Sequence, residues 1–252
     1  MTVDASLIRS LEELSMNAWP ALHTLHDDGW ALRFANGHGG RRVNSVYPLY
    51  AGVKKIEEKI SACEAIYRSR GQRPIFKLTN ACIPANLDEI LAADGYETDA
   101  PTAIQVLDLA RWAVTSPPPG LTLSEVPSGD WLAAYARMSN AGDEEMLIHA
   151  QILRAIIPAR RFAAIQVNGQ VIACGLAVMQ NGWVGFYDIR TDTAHRRQGY
   201  ARGVMAALLA WAKAEGAVNG YLQVMIDNPP ALALYARLGF HEVYRYWYRM
   251  KV

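Results

Sequence analysis

The sequence is poor in the features that mark several large classes of protein. Its 252 residues include 3 cysteines, Cys63, Cys82 and Cys174, which lie far apart and form no Cys-x-x-Cys pair. Scattered cysteines in odd number argue against a disulfide framework and against a zinc site. The 6 histidines show neither a His-x-x-x-His nor a His-Glu-x-x-His spacing. The sequence therefore predicts no metal and a reducing, cytoplasmic setting.

Long apolar runs and a strong net charge are also missing. No uninterrupted apolar stretch approaches the roughly 18 residues of a membrane-spanning helix. The first 23 residues mix acidic with apolar positions, unlike the basic and then apolar plan of a secretory signal. The formal net charge of +1 provides no field that would attract nucleic acid. We therefore expect neither a membrane nor a nucleic-acid partner.

One proline-rich stretch divides the chain into two parts. The stretch TSPPPGL, residues 115–121, holds three consecutive prolines, which fit neither a helix nor a central strand. It predicts a first domain over residues 1–115, a linker over 116–120 and a second domain over 121–252. Oligomeric state is open from sequence, with a homodimer as one possibility.

Helices and strands alternate in the predicted second domain. Two helices follow a short strand at residues 121–126, and three strands then cover 161–191, with hairpin turns at Asn168-Gly169 and Asn181-Gly182. The segment HRRQGYARGVMAALLAWAKAEG predicts a long helix that ends near Gly216. A strand, a short helix behind Pro229 and Pro230, and an aromatic strand complete the chain. The pattern predicts an α/β fold with a mixed sheet.

The first half repeats the last part of this order. Residues 50–71 resemble the long helix, and 73–80 resemble the strand after it. The segment IPANLDEILAADGYE parallels NPPALALYARLGFHE, and residues 99–109 parallel the last strand. The similarity predicts a duplicated unit. The alternative is that many α/β proteins share such helix-Gly-aromatic-strand junctions.

The start of the long helix carries an unusual set of residues. A helix N-terminus has unpaired N–H groups and a partial positive charge. Gly199 lets a ligand approach the main chain closely, and small Ala201 leaves room for it. Three arginines add charge and forked donors: Arg196, Arg197 and Arg202. The arrangement predicts a phosphate or pyrophosphate site, and the alternative is a solvated surface.

Residues 121–252 resemble the GNAT acetyltransferase superfamily. The matching pieces are Ile189-x-Thr191, the start Arg196-x-x-Gly199-x-Ala201, and the segment from Asn228 through Tyr235 to Gly239-Phe240. The family usually has proline where this chain has Thr193, and Ala201 replaces a glycine. The first half resembles a degenerate copy of the same fold without the Arg-x-x-Gly-x-Ala start.

The resemblance implies a splayed mixed sheet that binds acetyl-CoA in its opening. The main chain from Arg197 to Arg202 would hold the pyrophosphate, and Ile189 to Thr191 would pair with the pantetheine arm. Asn228 would lie near the thioester. The implied cofactor-binding residues are Ile189, Thr191, Arg196, Arg197, Gln198, Gly199, Tyr200, Ala201, Arg202 and Asn228.

The same resemblance implies acetyl transfer to a primary amine by direct attack in a ternary complex. Tyr235 suits the acid that protonates the leaving thiolate, because a phenol is protonated at pH 7. Asp188, Glu144 and its neighbour Glu145 are candidates for the base, and an ordered water is the alternative to a fixed side chain.

The acceptor is open: a small molecule, an amino acid or a peptide. The excess of basic over acidic residues in the second half disfavours polycations. The alternative function is a non-catalytic acyl-CoA sensor; a nucleotide-binding protein is disfavoured by the glycine spacing.

Overall fold

One mixed sheet of eleven strands runs through the part of the chain that the structure describes, residues 4–113 and 117–251 of a computed structural model. The strands are β1 (His23–Asp27), β2 (Trp30–Phe34), β3 (Val46–Pro48), β4 (Ile75–Thr79), β5 (Glu97–Asp108), β6 (Leu121–Ser124), β7 (Ala159–Val167), β8 (Gln170–Gln180), β9 (Trp183–Thr191), β10 (Asn219–Met225) and β11 (His241–Met250). Their spatial order is β1-β2-β3-β4-β11-β5-β10-β9-β8-β7-β6. The predicted mixed α/β sheet is confirmed.

Helices cover both faces of this sheet. They are α1 (Ala5–Ala18), α2 (Ile56–Ser69), α3 (Leu87–Ala93), α4 (Gly129–Ser139), α5 (Asp143–Ala155), α6 (Tyr200–Ala214) and α7 (Pro229–Leu238). Helices α1, α4 and α5 share one apolar cluster with Tyr187, whereas α6 and α7 share another with Phe186. Because successive strand residues face opposite sides, the two clusters lie on opposite faces of the sheet.

The turns predicted from the sequence are present in the structure. Both predicted Asn-Gly turns have positive φ at the two residues, with 49° and 78° at Asn168-Gly169 and 52° and 76° at Asn181-Gly182. Such angles suit a two-residue hairpin turn. Gly216, at φ 90°, follows the last turn of α6. The predicted helix over residues 50–71 is shorter, running from Ile56 to Ser69.

The order helix-strand-helix-strand occurs twice, as predicted, in α2-β4-α3-β5 and in α6-β10-α7-β11. The last strands of the two halves are exchanged. Strand β5 pairs antiparallel with β10, where Val106 lies opposite Tyr221, and strand β11 pairs with β4, where Tyr248 lies opposite Lys77. Each half therefore completes the sheet of the other. Residues 115 and 116, the predicted end of the first domain and start of the linker, lie outside the described residues.

A buried ion pair lies beside the exchanged strands. Lys77 on β4 pairs with Glu12 on α1, and their side chains are 0% and 1% exposed. The Tyr244 hydroxyl donates to Glu12 Oε1 at 2.9 Å, and Lys77 Nζ lies 3.8 Å from the ring centroid of Tyr246. Both tyrosines come from β11. The pair therefore joins residues that lie far apart in the sequence.

Replacing Lys77 with Met tests this pair. Glu12 would remain as a buried charge without its partner, which typically costs about 3–5 kcal/mol. We expect a loss of that size in the free energy of unfolding, measured with urea. Lys54→Met is the matched control, because Lys54 pairs with Asp27 at 2.6 Å while 44% exposed, and exposed pairs are worth about 0–1 kcal/mol. Equal losses in the two variants would contradict the interpretation.

Candidate active site

The sheet opens at its centre between β9 and β10. These parallel strands pair from Trp183 opposite Asn219 to Phe186 opposite Leu222. Beyond that point β9 continues to Thr191 along β8, while β10 continues to Met225 along β5. The facing edges of the two strands are then no longer paired with each other. An extended group can enter here and bond to the free strand edge.

A β-bulge shapes the β9 side of this opening. Tyr187 lies opposite Leu176 and Arg190 lies opposite Cys174, so that Asp188 and Ile189 both face Gly175. Asp188 adopts φ 54°, in the left-handed region. A Cβ added to Gly175 would lie 2.5 Å from Ile189 Cδ1, so glycine lets the Ile189 side chain pack closely against β8. The bulge places Asp188 on the cavity described below.

The start of α6 is an open group of main-chain donors. Gly199 is the N-cap residue at φ 88°; no side chain caps this helix start, and its first turn holds no acidic residue. A Cβ at Gly199 would meet no described atom within 4 Å. Arg197, at φ 60°, also turns the chain before the helix. The predicted residues of the cradle lie together here: Arg196, Arg197, Gln198, Gly199, Tyr200, Ala201 and Arg202.

A cavity of about 430 Å³ lies beside the bulge, between the two halves of the chain. The first half contributes Trp19, His38, Gly39, Gly40 and Arg42. The second half contributes Tyr135, Ser139, Ala141, Glu145, Met146, His149, Asp188, Ile189, Arg190 and Asn228. The first half therefore forms one wall of the cavity.

A histidine and a carboxylate meet in this cavity. His149 Nε2 lies 3.0 Å from Asp188 Oδ2, and their side chains are 1% and 6% exposed. Neither atom has a hydrogen-bond partner of good geometry among the described residues. The His149 ring stacks on Tyr135, with the centroids 4.3 Å apart. The two polar atoms are therefore close to each other and shielded from solvent.

His38 forms the outer side of the same stack. Its ring is 5.8 Å from that of His149, at an interplanar angle of 12°. Burial and the nearby His149 lower the pKa of His38, and the carboxylates of Glu145 and Asp188 only partly oppose this. The neutral ring accepts the Gly40 N–H at Nδ1, at 2.9 Å. His38 is therefore uncharged at neutral pH.

Tyr235 lies on α7, the helix that follows β10. Its side chain is 9% exposed, and burial raises its pKa to about 12, opposed by the charge of Arg190. The hydroxyl forms no hydrogen bond to another described residue, and Tyr235 does not line the cavity. It is a fully protonated phenol within electrostatic range of Arg190, which does line the cavity.

The predicted site residues occupy different positions around this cavity. Asp188, Ile189 and Asn228 line it, and Thr191 lies two residues beyond Ile189. The Asn228 side chain also caps α7, where its Oδ1 accepts the Ala231 N–H at 3.3 Å. Glu144 is turned toward Gly37 and does not line the cavity, whereas its neighbour Glu145 lines it and accepts the Gly39 N–H at 3.3 Å.

Sequence reasoning missed several cavity residues. Trp19, His38 and Arg42 belong to the first half, in which the sequence predicted no site residue. His149 carried a usable signal, since it lies three and four residues before buried Ile152 and Leu153 on a predicted helix. A lone polar side chain on the apolar face of a helix requires a partner. Asp188, whose Oδ2 lies 3.0 Å from His149 Nε2, is the charged group that meets it here.

Residues 4–113 and 117–251 contain neither a candidate metal site nor a helix that could span a membrane. Within these ranges, His, Cys, Asp and Glu form no group of three or more that could hold a metal ion. None of the helices described is both long and apolar enough to cross a membrane.

Comparison with known proteins places the chain in a family. Residues 5–249 match the family model described as the probable histone acetyltransferase Rv0428c C-terminal. The chain is 28% identical to the uncharacterized N-acetyltransferase YobR of Bacillus subtilis (strain 168) over 248 residues, which are 97% of this chain and 98% of that protein. It is 26% identical to the probable histone acetyltransferase Rv0428c of Mycobacterium tuberculosis over 97% of this chain and 74% of that protein.

Solved structures show the same fold. A GCN5-related N-acetyltransferase from Kribbella flavida superposes with a TM-score of 0.70 at 15% identity, covering 100% of this chain and 96% of that one. A tandem GNAT protein from the clavulanic acid biosynthesis pathway gives a TM-score of 0.60 at 14% identity, covering 82% and 74%. The predicted GNAT fold is confirmed. The chain is an acyltransferase of the GNAT superfamily of N-acetyltransferases, and it belongs to the Rv0428c C-terminal family.

Proposed function

We propose that this chain transfers the acetyl group of acetyl-CoA to the primary amine of a small molecule, an amino acid or a peptide. The amine would attack directly in a ternary complex. The observation that carries the proposal is the opening between β9 and β10, where Asp188 lies on the β9 edge beside His149 and β9 leads through residues 193–195 to the uncapped start of α6. GNAT N-acetyltransferases in general use acetyl-CoA and amine acceptors, and the residues here suit both.

The residues of the second half fit acetyl-CoA. The N–H groups at the start of α6 and the positive end of its dipole suit the pyrophosphate, and the arginines suit its charge. The β9 edge beyond Phe186 suits the amides of the pantetheine arm.

The Asp188–His149 pair supports the role of general base. Amine attack forms a C–N bond and requires the amine to lose a proton. Asp188, which lines the cavity, can take that proton, and His149 Nε2, 3.0 Å from Asp188 Oδ2, can share it. Glu144 remains a second candidate, although its side chain is turned toward Gly37.

Tyr235 supports the role of general acid. The C–S bond breaks as acetyl leaves sulfur, and the departing thiolate needs a proton or a hydrogen bond. Burial keeps the Tyr235 hydroxyl protonated, and no described residue takes its hydrogen. A non-catalytic sensor would need neither this phenol nor a buried carboxylate-imidazole pair, so the site favours an enzyme over a sensor.

The cradle is tested by Gly199→Val. The substitution adds a branched side chain at the N–H groups proposed to bind pyrophosphate, so we expect acetyl-CoA to bind at least about tenfold more weakly by calorimetry. Gly216→Val is the matched control at the other end of α6. It has φ 90° against 88° for Gly199, and a Cβ there also meets nothing within 4 Å. Equal affinity in the two variants would contradict the cradle.

The acid is tested by Tyr235→Phe, once an amine screen that follows thiol release has supplied an acceptor. Loss of the hydroxyl should lower kcat by about 100-fold, at the lower end of general acid catalysis, because a thiolate is a tolerable leaving group. Acetyl-CoA affinity should stay within about twofold, since the hydroxyl acts in the transition state. A kcat close to that of the wild type would show that Tyr235 is not the acid and serves only in packing.

The base is tested by Asp188→Asn, His149→Gln and the double variant. Each single change should lower kcat by about 100-fold or more, and the double variant should fall little further, because groups that act as a unit are not additive. Glu144→Gln separates the two carboxylate candidates. If it lowers kcat as far as Asp188→Asn while His149→Gln has no effect, Glu144 is the base and the pair is not.

A further inference from the structure

The side chain of Arg42 enters the cavity from the first half. Arg42 follows β2 and sits in a short turn at Arg41–Val43. Its carbonyl accepts bonds from Arg33 Nη1 at 2.8 Å and from the Tyr47 hydroxyl at 2.9 Å. Its guanidinium carbon lies 5.6 Å from the Trp19 ring centroid and 5.8 Å from that of Tyr187. Main chain and side chain are both held in place.

This guanidinium has no carboxylate partner. No Asp or Glu oxygen of the described chain lies within 4.0 Å of it, although its neighbour Arg41 is paired with Asp99. Burial acts to lower the pKa of Arg42, but the surrounding tyrosines and Asp188 outweigh it and the pKa is raised. Arg42 is thus a charged, forked donor on a cavity wall. Two aromatic faces compensate only part of its lost hydration.

The charged side chains that line the cavity are of both signs. Arg42 and Arg190 are positive, whereas Asp188 and Glu145 are negative. Glu145 Oε1 is already bonded to the Gly39 N–H, and Asp188 faces His149. Two arginines disfavour an acceptor that carries only positive charge. The pattern suits a molecule with both an amine and an anionic group.

We propose that the acceptor is an amino carboxylate, whose carboxylate binds the Arg42 guanidinium while its amine faces Asp188 and His149. This inference rests on the proposed function and narrows its acceptor to one class. A guanidinium fork matches the two oxygens of a carboxylate, which makes Arg42 a specificity-determining residue. The rings of Trp19 and Tyr135, which line the cavity, offer apolar surface to the acceptor's side chain.

The test uses the full chain with acetyl-CoA and matched pairs of acceptors. Each of the common L-amino acids is assayed beside the amine that lacks its carboxylate, such as phenylalanine beside phenethylamine. We expect kcat/KM at least about tenfold higher for the amino acid in the preferred pair, as for a charge-assisted bidentate contact. Equal values for both members of every pair would overturn the proposal.

Arg42→Gln should then raise KM for the preferred amino acid by about tenfold or more. The KM for the matched amine, which lacks the carboxylate, should be unchanged. Arg42→Lys, which keeps the charge without the fork, should fall between. Arg41→Gln is the matched control, because this neighbour does not line the cavity. A lowered thermal midpoint together with weaker acetyl-CoA binding would show that Arg42→Gln is misfolded. In that case Arg42→Lys is the variant that is compared with wild type. An equal effect of Arg42 variants on both members of the pair would contradict the assignment.

If no amino acid is acetylated, binding decides the question. Calorimetry with the same amino acids and the CoA-saturated protein should show binding that Arg42→Gln weakens. No binding of any of them overturns the amino carboxylate proposal. Failure of acetyl-CoA itself to bind would instead overturn the proposed function, so the two failures are distinguishable.

Discussion

The position of β5 between β10 and β11 is the constraint on which the rest of the structure depends. Strand β10 pairs with β9 only as far as Leu222, and on its other edge it pairs with β5 along its whole length. The first half of the chain therefore supports the strand that forms one side of the opening. In return β11 pairs with β4, and its Tyr244 and Tyr246 surround the Glu12–Lys77 pair. Neither half has a complete sheet without the other.

This exchange has a direct consequence for the site. Trp19, His38 and Arg42 are fixed opposite Tyr135, His149 and Asp188, so the cavity exists only where the two halves meet. The first half thus supplies one wall of the cavity. In our proposal acetyl-CoA is held by the second half alone, while the acceptor contacts both halves. That division explains how one half can lack the Arg-x-x-Gly-x-Ala start and still shape specificity.

Local features could be read from the sequence because local chemistry determines them. Asn168-Gly169, Gly199 and Gly216 adopt the positive φ values that their turns and helix ends require. The strand exchange could not be predicted from the sequence. Strands β5 and β11 have similar residue patterns, and either could pair with β4 or β10. Trp19 and Arg42 lie outside any periodic segment facing the site, and only tertiary packing brings them to it. His149 lies between these cases, because its place on the buried face of a helix was visible.

Amide hydrogen exchange with and without acetyl-CoA tests the central claim most directly, that the second half binds the cosubstrate at the opening and at the start of α6. Saturating acetyl-CoA is expected to slow exchange at residues 187–191 and 197–202. The equivalent helix start in the first half, residues 55–58, should be unchanged and serves as an internal control. Protection confined to residues 55–58, or no protection at 197–202 under saturation, would contradict the account.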